Sequence, residues 1–505
     1  MKKVFISLVF IFPFLLYALE PKYLYITGYS PPPQRKHRIA GGESFPPLPL
    51  PVVPLRRTEK KKPPSPPVIL TKLKYGKGVQ WVGYGENHRY LVKVANRALG
   101  IFYRADRKPL KRIDPDPSIT PALYMTGLVS FKLSSEEVNK LREYLLQGGT
   151  LILDCNSGHF EIKDSFLSLI KELFPSLPLR PLPPDHPLFY SFYRIKKVRY
   201  QLAKYDPRIY NPSWEGKYPE PRYQEGPPLL YGLDIGSRTA IFLSTYDLGS
   251  GWAGKTYPYG NRFSVEDARK LGVNLIAYIL QFYPVARYQS WERTYYLSPA
   301  SSSTEFQIAQ IVHSGYWDSS LTLLSRLLLN LRKVTRSLPQ LEPALVELKE
   351  GVSLSYPLFY LTGHDRIEFS PRERKILREY VERGGVIFAE NRLGRSTFDK
   401  TFRKELNKIF PEGKLTKVPP SHPLFRIFYN LKRVRYSPWV EEFPKGVGEP
   451  VLEILKFKGR EVLVYSPYDL AWSWQDEVYP PYTRGVKGED GLKLGTNILV
   501  YLLTH

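Results

Sequence analysis

The chain has 505 residues, 43% of them hydrophobic and 14% aromatic, which is enough for two domains of ordinary size with real cores. Its single cysteine excludes an intramolecular disulfide framework and any zinc site built from paired cysteines. The formal charge of +25 suits either a solvated surface rich in ion pairs or an anionic partner such as lipid headgroups or acidic polysaccharide. No basic motif with interleaved aromatics is present, so no nucleic-acid partner is expected.

The N-terminus reads MKKVFISLVFIFPFLLYALE. Basic Lys2 and Lys3 precede an apolar stretch from Val4 to Leu16 and the small residue Ala18. This is the pattern of a signal peptide over residues 1–18, cut after Ala18. The apolar run is short for a spanning helix and Pro13 interrupts it, so an uncleaved N-terminal anchor is the alternative. No cysteine follows it to carry a lipoprotein anchor. The protein is therefore expected in the periplasm or cell envelope. Residues 19–67 form a Pro-rich basic spacer, with twelve prolines from Ser30 to Pro67, extended and unable to build a core.

A tandem duplication follows. Tyr124–Tyr200 aligns with Tyr360–Tyr436 without a gap. Downstream, STYDL pairs with SPYDL and GVNLIAYIL with GTNILVYLL. Copy one is expected over 68–285 and copy two over 304–505, joined by a linker at 286–303 that ends serine-rich. Any chemistry needed in both halves must survive in both copies.

In copy one, Ser134, Ser135 and Glu137 predict a helix start and Gly148 its stop. TLILD reads as a strand, a second helix contains Phe166 to Phe174, AIFLSTY is a strand, and ARKLGVNLIAYIL is the terminal helix. Copy two opens on the strand and turn IVHSGYWDSS and the amphipathic LTLLSRLLLNLRKV. PLFYLTG suits a buried parallel strand. Ser370 as N-cap, Pro371 at the first helical position and Gly384 at the end delimit the next helix. VIFAE, a helix holding Phe402 to Phe410, EVLVYSPY and GLKLGTNILVYLL complete the repeat. Alternating strands and helices predict open parallel sheets with helices on both faces.

The shared motifs are Y-[ML]-T-G, L-R-x-Y-[LV]-x-x-G-G, an acidic residue at the next strand end, PP-x-HPLF-x-x-F-Y and the late YDL loop. In combination they resemble the domain of unknown function 4159 family. That family is in turn similar to the class I glutamine amidotransferase-like superfamily, including trehalose-utilisation-like proteins. The resemblance implies two tandem flavodoxin-like three-layer α/β domains with mainly parallel sheets. It implies no established reaction and no cofactor. The family usually carries a histidine after its Thr-Gly; copy two has His364 there and copy one Leu128. Conversely, copy one keeps the Gly-Ser-Gly-Trp form of the late loop and copy two does not.

Ligands of open parallel sheets bind beyond the C-terminal strand ends. Asp154 and Glu390 fall at one such tip, and Asp247 and Asp469 on the YDL loop. Neighbouring tips would give each copy a carboxylate pair, able to hold a hard cation or to act as acid and base; alternatively each carboxylate caps its own turn. The identity of any metal is not specified. Cys155 sits at a strand-to-helix elbow and is a weak nucleophile candidate, with His159 or His186 as base. Copy two has Asn391 at that position and the elbow lacks a glycine-cysteine-x-glycine pattern, both of which argue against it. His186 and His422 lie in the rigid PP-x-HPLF loop, as loop-holding groups or weak catalytic candidates. Trp252 and Trp474, within aromatic-rich segments, suit a sugar- or peptide-binding surface or packing under loops. The sequence thus leads to an exported, non-catalytic binding or assembly module of the cell envelope. Its expected partners are an anionic or carbohydrate component and other envelope proteins. The alternatives are an envelope hydrolase or amidase, or a duplicated structural scaffold.

Overall fold

A computed structural model describes residues 65–505, except Val79, Tyr84, 203–221, 256–259, 295–305, Leu321, Ser353 and 476–477. The expected signal peptide, nearly all of the spacer and the serine-rich end of the linker lie outside the described residues. Val68–His505 forms one compact unit.

Copy one runs β1 (Val68–Lys74), α1 (Asn87–Leu99), β2 (Arg104–Pro109), β3 (Ala122–Gly127), α2 (Ser135–Leu146), β4 (Thr150–Cys155), α3 (Phe160–Leu173) and β5 (Arg180–Pro181). It continues with β6 (Val198–Leu202), β7 (Arg222–Gly226), β8 (Tyr231–Ile235), β9 (Arg238–Ser244), α4 (Gly249–Trp252), β10 (Arg262–Phe263) and α5 (Val265–Thr294). Copy two runs β11 (Ala309–Val312), α6 (Leu323–Val334), β12 (Ala344–Glu347), β13 (Leu358–Gly363), α7 (Pro371–Glu382), β14 (Val386–Asn391) and α8 (Ser396–Ile409). β15 (Leu415–Lys417), β16 (Val434–Arg435), β17 (Val447–Gly448), β18 (Glu453–Phe457), β19 (Arg460–Ser466) and α9 (Glu489–Thr504) close it.

Each copy holds a seven-stranded sheet, β2-β1-β3-β4-β9-β8-β5 and β12-β11-β13-β14-β19-β18-β15. The first five strands of each are parallel, in the 2-1-3-4-5 order of flavodoxin-like doubly wound folds. β8 and β18 run against them, because each is joined to the next strand by a tight hairpin, at Gly236 (φ 67°) and Gly459 (φ 81°), and β5 and β15 pair antiparallel to β8 and β18.

Every residue of β3 and β4 is buried, as expected of strands covered on both faces. Alternation sends Tyr124 and Ile152 into the core under α1 and α5, and Leu123, Leu151 and Leu153 into the core under α2 and α3. Copy two repeats both cores. The helix starts are as the sequence predicts: Ser134 with Glu137, and Ser370 with Glu373, form capping boxes. Gly148 (φ 107°) and Gly384 (φ 105°) end those helices in a conformation that side chains disfavour. α5 runs on to Thr294 with Pro284 inside it, so the chain expected to begin a linker at 286 is still helical. Among the described residues, no helix is long and apolar enough to cross a membrane.

Candidate functional site

The strand-tip carboxylates bond across the same two loops and face inward. Asp154 on β4 accepts from the backbone N–H groups of Leu248 and Gly249, both at 2.9 Å, and from the Tyr124 hydroxyl at 2.7 Å. Asp247 accepts from Ser157 N at 2.8 Å and Ser250 N at 2.9 Å. Both side chains are fully buried. In copy two, Glu390 accepts from the Tyr360 hydroxyl at 2.8 Å and Ala471 N at 3.3 Å, and Asp469 from Leu393 N at 2.7 Å and Trp472 N at 3.0 Å. Burial, then the neighbouring Asp247, pushes Asp154 up to about 7; burial and Glu390 do the same for Asp469. The pairs tie the β4–α3 elbow to the YDL loop, and likewise β14–α8 in copy two. Among the described residues, no group of three or more His, Cys, Asp or Glu side chains could hold a metal ion.

The counter-charge differs between copies. Lys72 on β1, in register with Tyr124, donates to Val82 O at 2.6 Å and Gly85 O at 3.0 Å and lies 3.4 Å from Asn87 Oδ1. Asn87 in turn donates to the Tyr124 hydroxyl at 2.7 Å. Burial and Arg107 lower the Lys72 pKa to about 8. The position in register with Tyr360 is Gln310; there the cation comes from Arg392 on the elbow, 3.2 Å from Glu390 and 3.1 Å from the Tyr360 hydroxyl. A buried cation lies near the acidic tip in both copies, from β1 in copy one and from the β14–α8 elbow in copy two.

Trp252 and Trp474 are core residues rather than a ligand surface. Their indole N–H groups donate to Ala268 O at 2.9 Å and Gly491 O at 3.1 Å, under α5 and α9. Gly272 makes room, since a Cβ there would lie 2.6 Å from Trp252 Nε1. Cys155 is fully buried in the α2–α3 core, and burial, with Asp154, pushes its thiol far up. A thiolate is thus strongly disfavoured, so this elbow does not present a nucleophile.

The two loop histidines cap the same turn: Leu188 N donates to His186 Nδ1 at 3.2 Å, and Leu424 N to His422 Nδ1 at 3.3 Å. His422 Nε2 lies 3.3 Å from Glu461. His186 begins a chain that crosses from one copy to the other. Its Nε2 meets Thr239 Oγ1 at 3.0 Å, Thr239 donates to Asp234 Oδ1 at 2.5 Å, and Asp234 Oδ2 meets His364 Nε2 at 2.9 Å. His364 Nδ1 meets Ser319 Oγ at 2.6 Å. Burial drives His186 down to about 3. Burial opposes ionisation of Asp234, yet the His364 contact holds it down to about 2. Ser319, His364 and Asp234 have the partners of a nucleophile, base and carboxylate. However, Ser319 is fully buried and the adjoining cavity of about 30 Å³ holds roughly one water.

That chain belongs to a seam in which copy one covers the strand ends of copy two. Arg180 donates to Asp365 Oδ2 at 2.8 Å, Ser314 O at 2.6 Å and Arg366 O at 3.2 Å. Asp185, in the PP-x-HPLF loop, accepts from Ser396 N at 2.9 Å, Ser396 Oγ at 2.6 Å and Thr397 Oγ1 at 3.3 Å, at the start of α8. Arg395 returns a bond to Asp185 O at 3.1 Å. Ser237 Oγ donates to Ser319 O at 2.9 Å. The equivalent face of copy one carries exposed Leu128, Val129 and Phe160 where copy two has His364, Asp365 and Ser396.

Fold and site together define a tandem pair of doubly wound α/β domains whose strand-end groups are spent on internal bonds. The family model for DUF4159, a domain of unknown function, matches residues 69–280 and again 307–503, so the chain belongs to that family and carries its domain twice. A comparison with curated proteins returns no match.

Proposed function

We propose that this protein is a non-catalytic binding or assembly module of the cell envelope, exported and built on two domains similar to the class I glutamine amidotransferase fold. The seam is the observation that carries the reading. Doubly wound folds receive ligands beyond their strand ends, and in copy two Arg180 and Asp185 of copy one fill that place. In copy one the groups with chemistry to offer, Asp154, Asp247 and Cys155, are fully buried. The basic and apolar N-terminus supports export, and the charge of +25 supports an anionic partner. An envelope hydrolase or amidase is the second reading, favoured by the Ser319–His364–Asp234 series. The complete burial of Ser319 weighs against it.

The test is co-sedimentation of the full chain with isolated envelope, with released sugar reducing ends and amino groups assayed in the supernatant. The expected result is sedimentation without release. Release that His364→Ala or Asp234→Asn abolishes would establish the hydrolase instead.

A further inference from the structure

We infer that copy one carries a groove for an acidic polysaccharide, an assignment that rests on the binding-module reading and names its ligand class. An open groove of about 610 Å³ lies between β6, β7, β10 and the first turns of α5. Among the described residues, Arg199, Lys255, Arg269 and Lys270 line it with the nearly buried Arg262 at its floor, and Glu266 is the acid among them. Glu266 is already engaged, 2.6 Å from Lys270 and 3.7 Å from Arg199. Arg269 Nε is buried without a hydrogen-bond partner among the described residues.

The second copy shows that folding does not require Arg262 or Arg269. Both copies build the same frame: Ser264 N and Lys487 N donate at 2.8 Å to Arg199 O and Arg435 O. Asp267 and Asp490 accept from the N–H groups of Arg199 and Arg435 at 2.9 and 2.8 Å. On that frame Arg262 corresponds to Gly485, since each bridges its copy's YDL aspartate, and Arg269 corresponds to Leu492. Arg435 folds its guanidinium onto Asp490 at 3.0 Å, whereas Arg199 remains on the groove. Copy two thus forms the frame without Arg262 and Arg269, while it keeps Arg435 and the Lys493–Glu489 pair in the places of Arg199 and Lys270–Glu266.

Two features select a carbohydrate. Guanidinium groups pair bidentately with carboxylates. Beside them the Tyr223 ring is 57% exposed on the groove wall, an apolar face of the size a pyranose covers. A uronate polymer offers both surfaces in each residue.

The experiment titrates the full chain with a fluorescent oligogalacturonate at low salt. A neutral dextrin of equal length, poly-glutamate and inorganic phosphate are the comparison arms. Only the oligogalacturonate is expected to bind well, with affinity falling as salt rises. Arg269→Leu, which installs the copy-two residue, and Tyr223→Ala should each weaken it about tenfold at unchanged melting temperature. Equal binding of dextrin, equal and Arg269-dependent binding of poly-glutamate, or displacement by phosphate alone would overturn the assignment. So would the absence of binding, or binding that ignores both substitutions. Shortening of the oligosaccharide would instead refute the non-catalytic reading, whichever residues the binding uses.

Discussion

Asp154→Asn removes one carboxyl from a fully buried pair, and its effect on stability is expected to change with pH. Burial and the neighbouring Asp247 raise Asp154 from 3.8 to about 7. A raised carboxyl pKa means that the folded protein keeps a proton which the unfolded chain releases. The contribution is complete below about pH 4 and is lost as pH rises through about 7. A rise from 3.8 to about 7 corresponds to a loss on the order of 4 kcal/mol. His88, His186 and His313, each driven down to about 3 by burial, act in the opposite sense, costing stability as pH falls below about 6.5. They are common to wild type and variant and cancel in the difference. The amide's poorer match to Gly249 N–H and the Tyr124 hydroxyl is an offset independent of pH. Guanidinium denaturation of both proteins at steps from about pH 4 to 8 should therefore show the wild type losing ground steadily to Asp154→Asn. A difference that stays flat within about 1 kcal/mol would mean that Asp154 is ionised throughout and that burial beside Asp247 does not hold a proton on it.

Asp185→Ala should cost about 1–2 kcal/mol, since it strips the start of α8 of its acceptor, and should accelerate hydrogen exchange at Ser396 and Thr397. Unchanged exchange there would mean that the seam is not held by this residue. Cys155→Ser should leave any cellular role intact, and in the native wild type the thiol should resist labelling until the chain unfolds. Lost complementation at unchanged melting temperature would promote the hydrolase. Trp252→Ala should cost about 3–5 kcal/mol, because it empties the space between β3 and α5; a loss below about 1 kcal/mol would place that indole outside the core.

Local signals were legible and long-range ones were not. The capping boxes at Ser134 and Ser370 and the glycine stops at Gly148 and Gly384 are written in adjacent residues, so helices and parallel strands follow from the sequence. The antiparallel strand β8 was missed, although Gly236 marks its hairpin. The sequence places Asp154 and Asp247 at strand ends, but their pairing and burial depend on which loops fold over them, and no spacing encodes that. The seam escaped for a different reason. Comparing copies rewards identity, whereas a contact between copies uses unlike residues: Arg180 aligns with Thr416, Asp185 with Ser421 and Asp234 with Lys456. The available hint was His364 standing where copy one has Leu128.

Copy one covers the strand ends of copy two through Arg180 and Asp185. Arg180→Cys and Asp365→Cys in a Cys155→Ser background would place one thiol on each side of the seam. A short bis-maleimide with a reducible centre would then join the copies. If the covering is permanent, the linked chain should bind envelope and support the cell as well as the unlinked one. Function lost on linking and regained on reduction would show instead that the copies have to part for copy two to work.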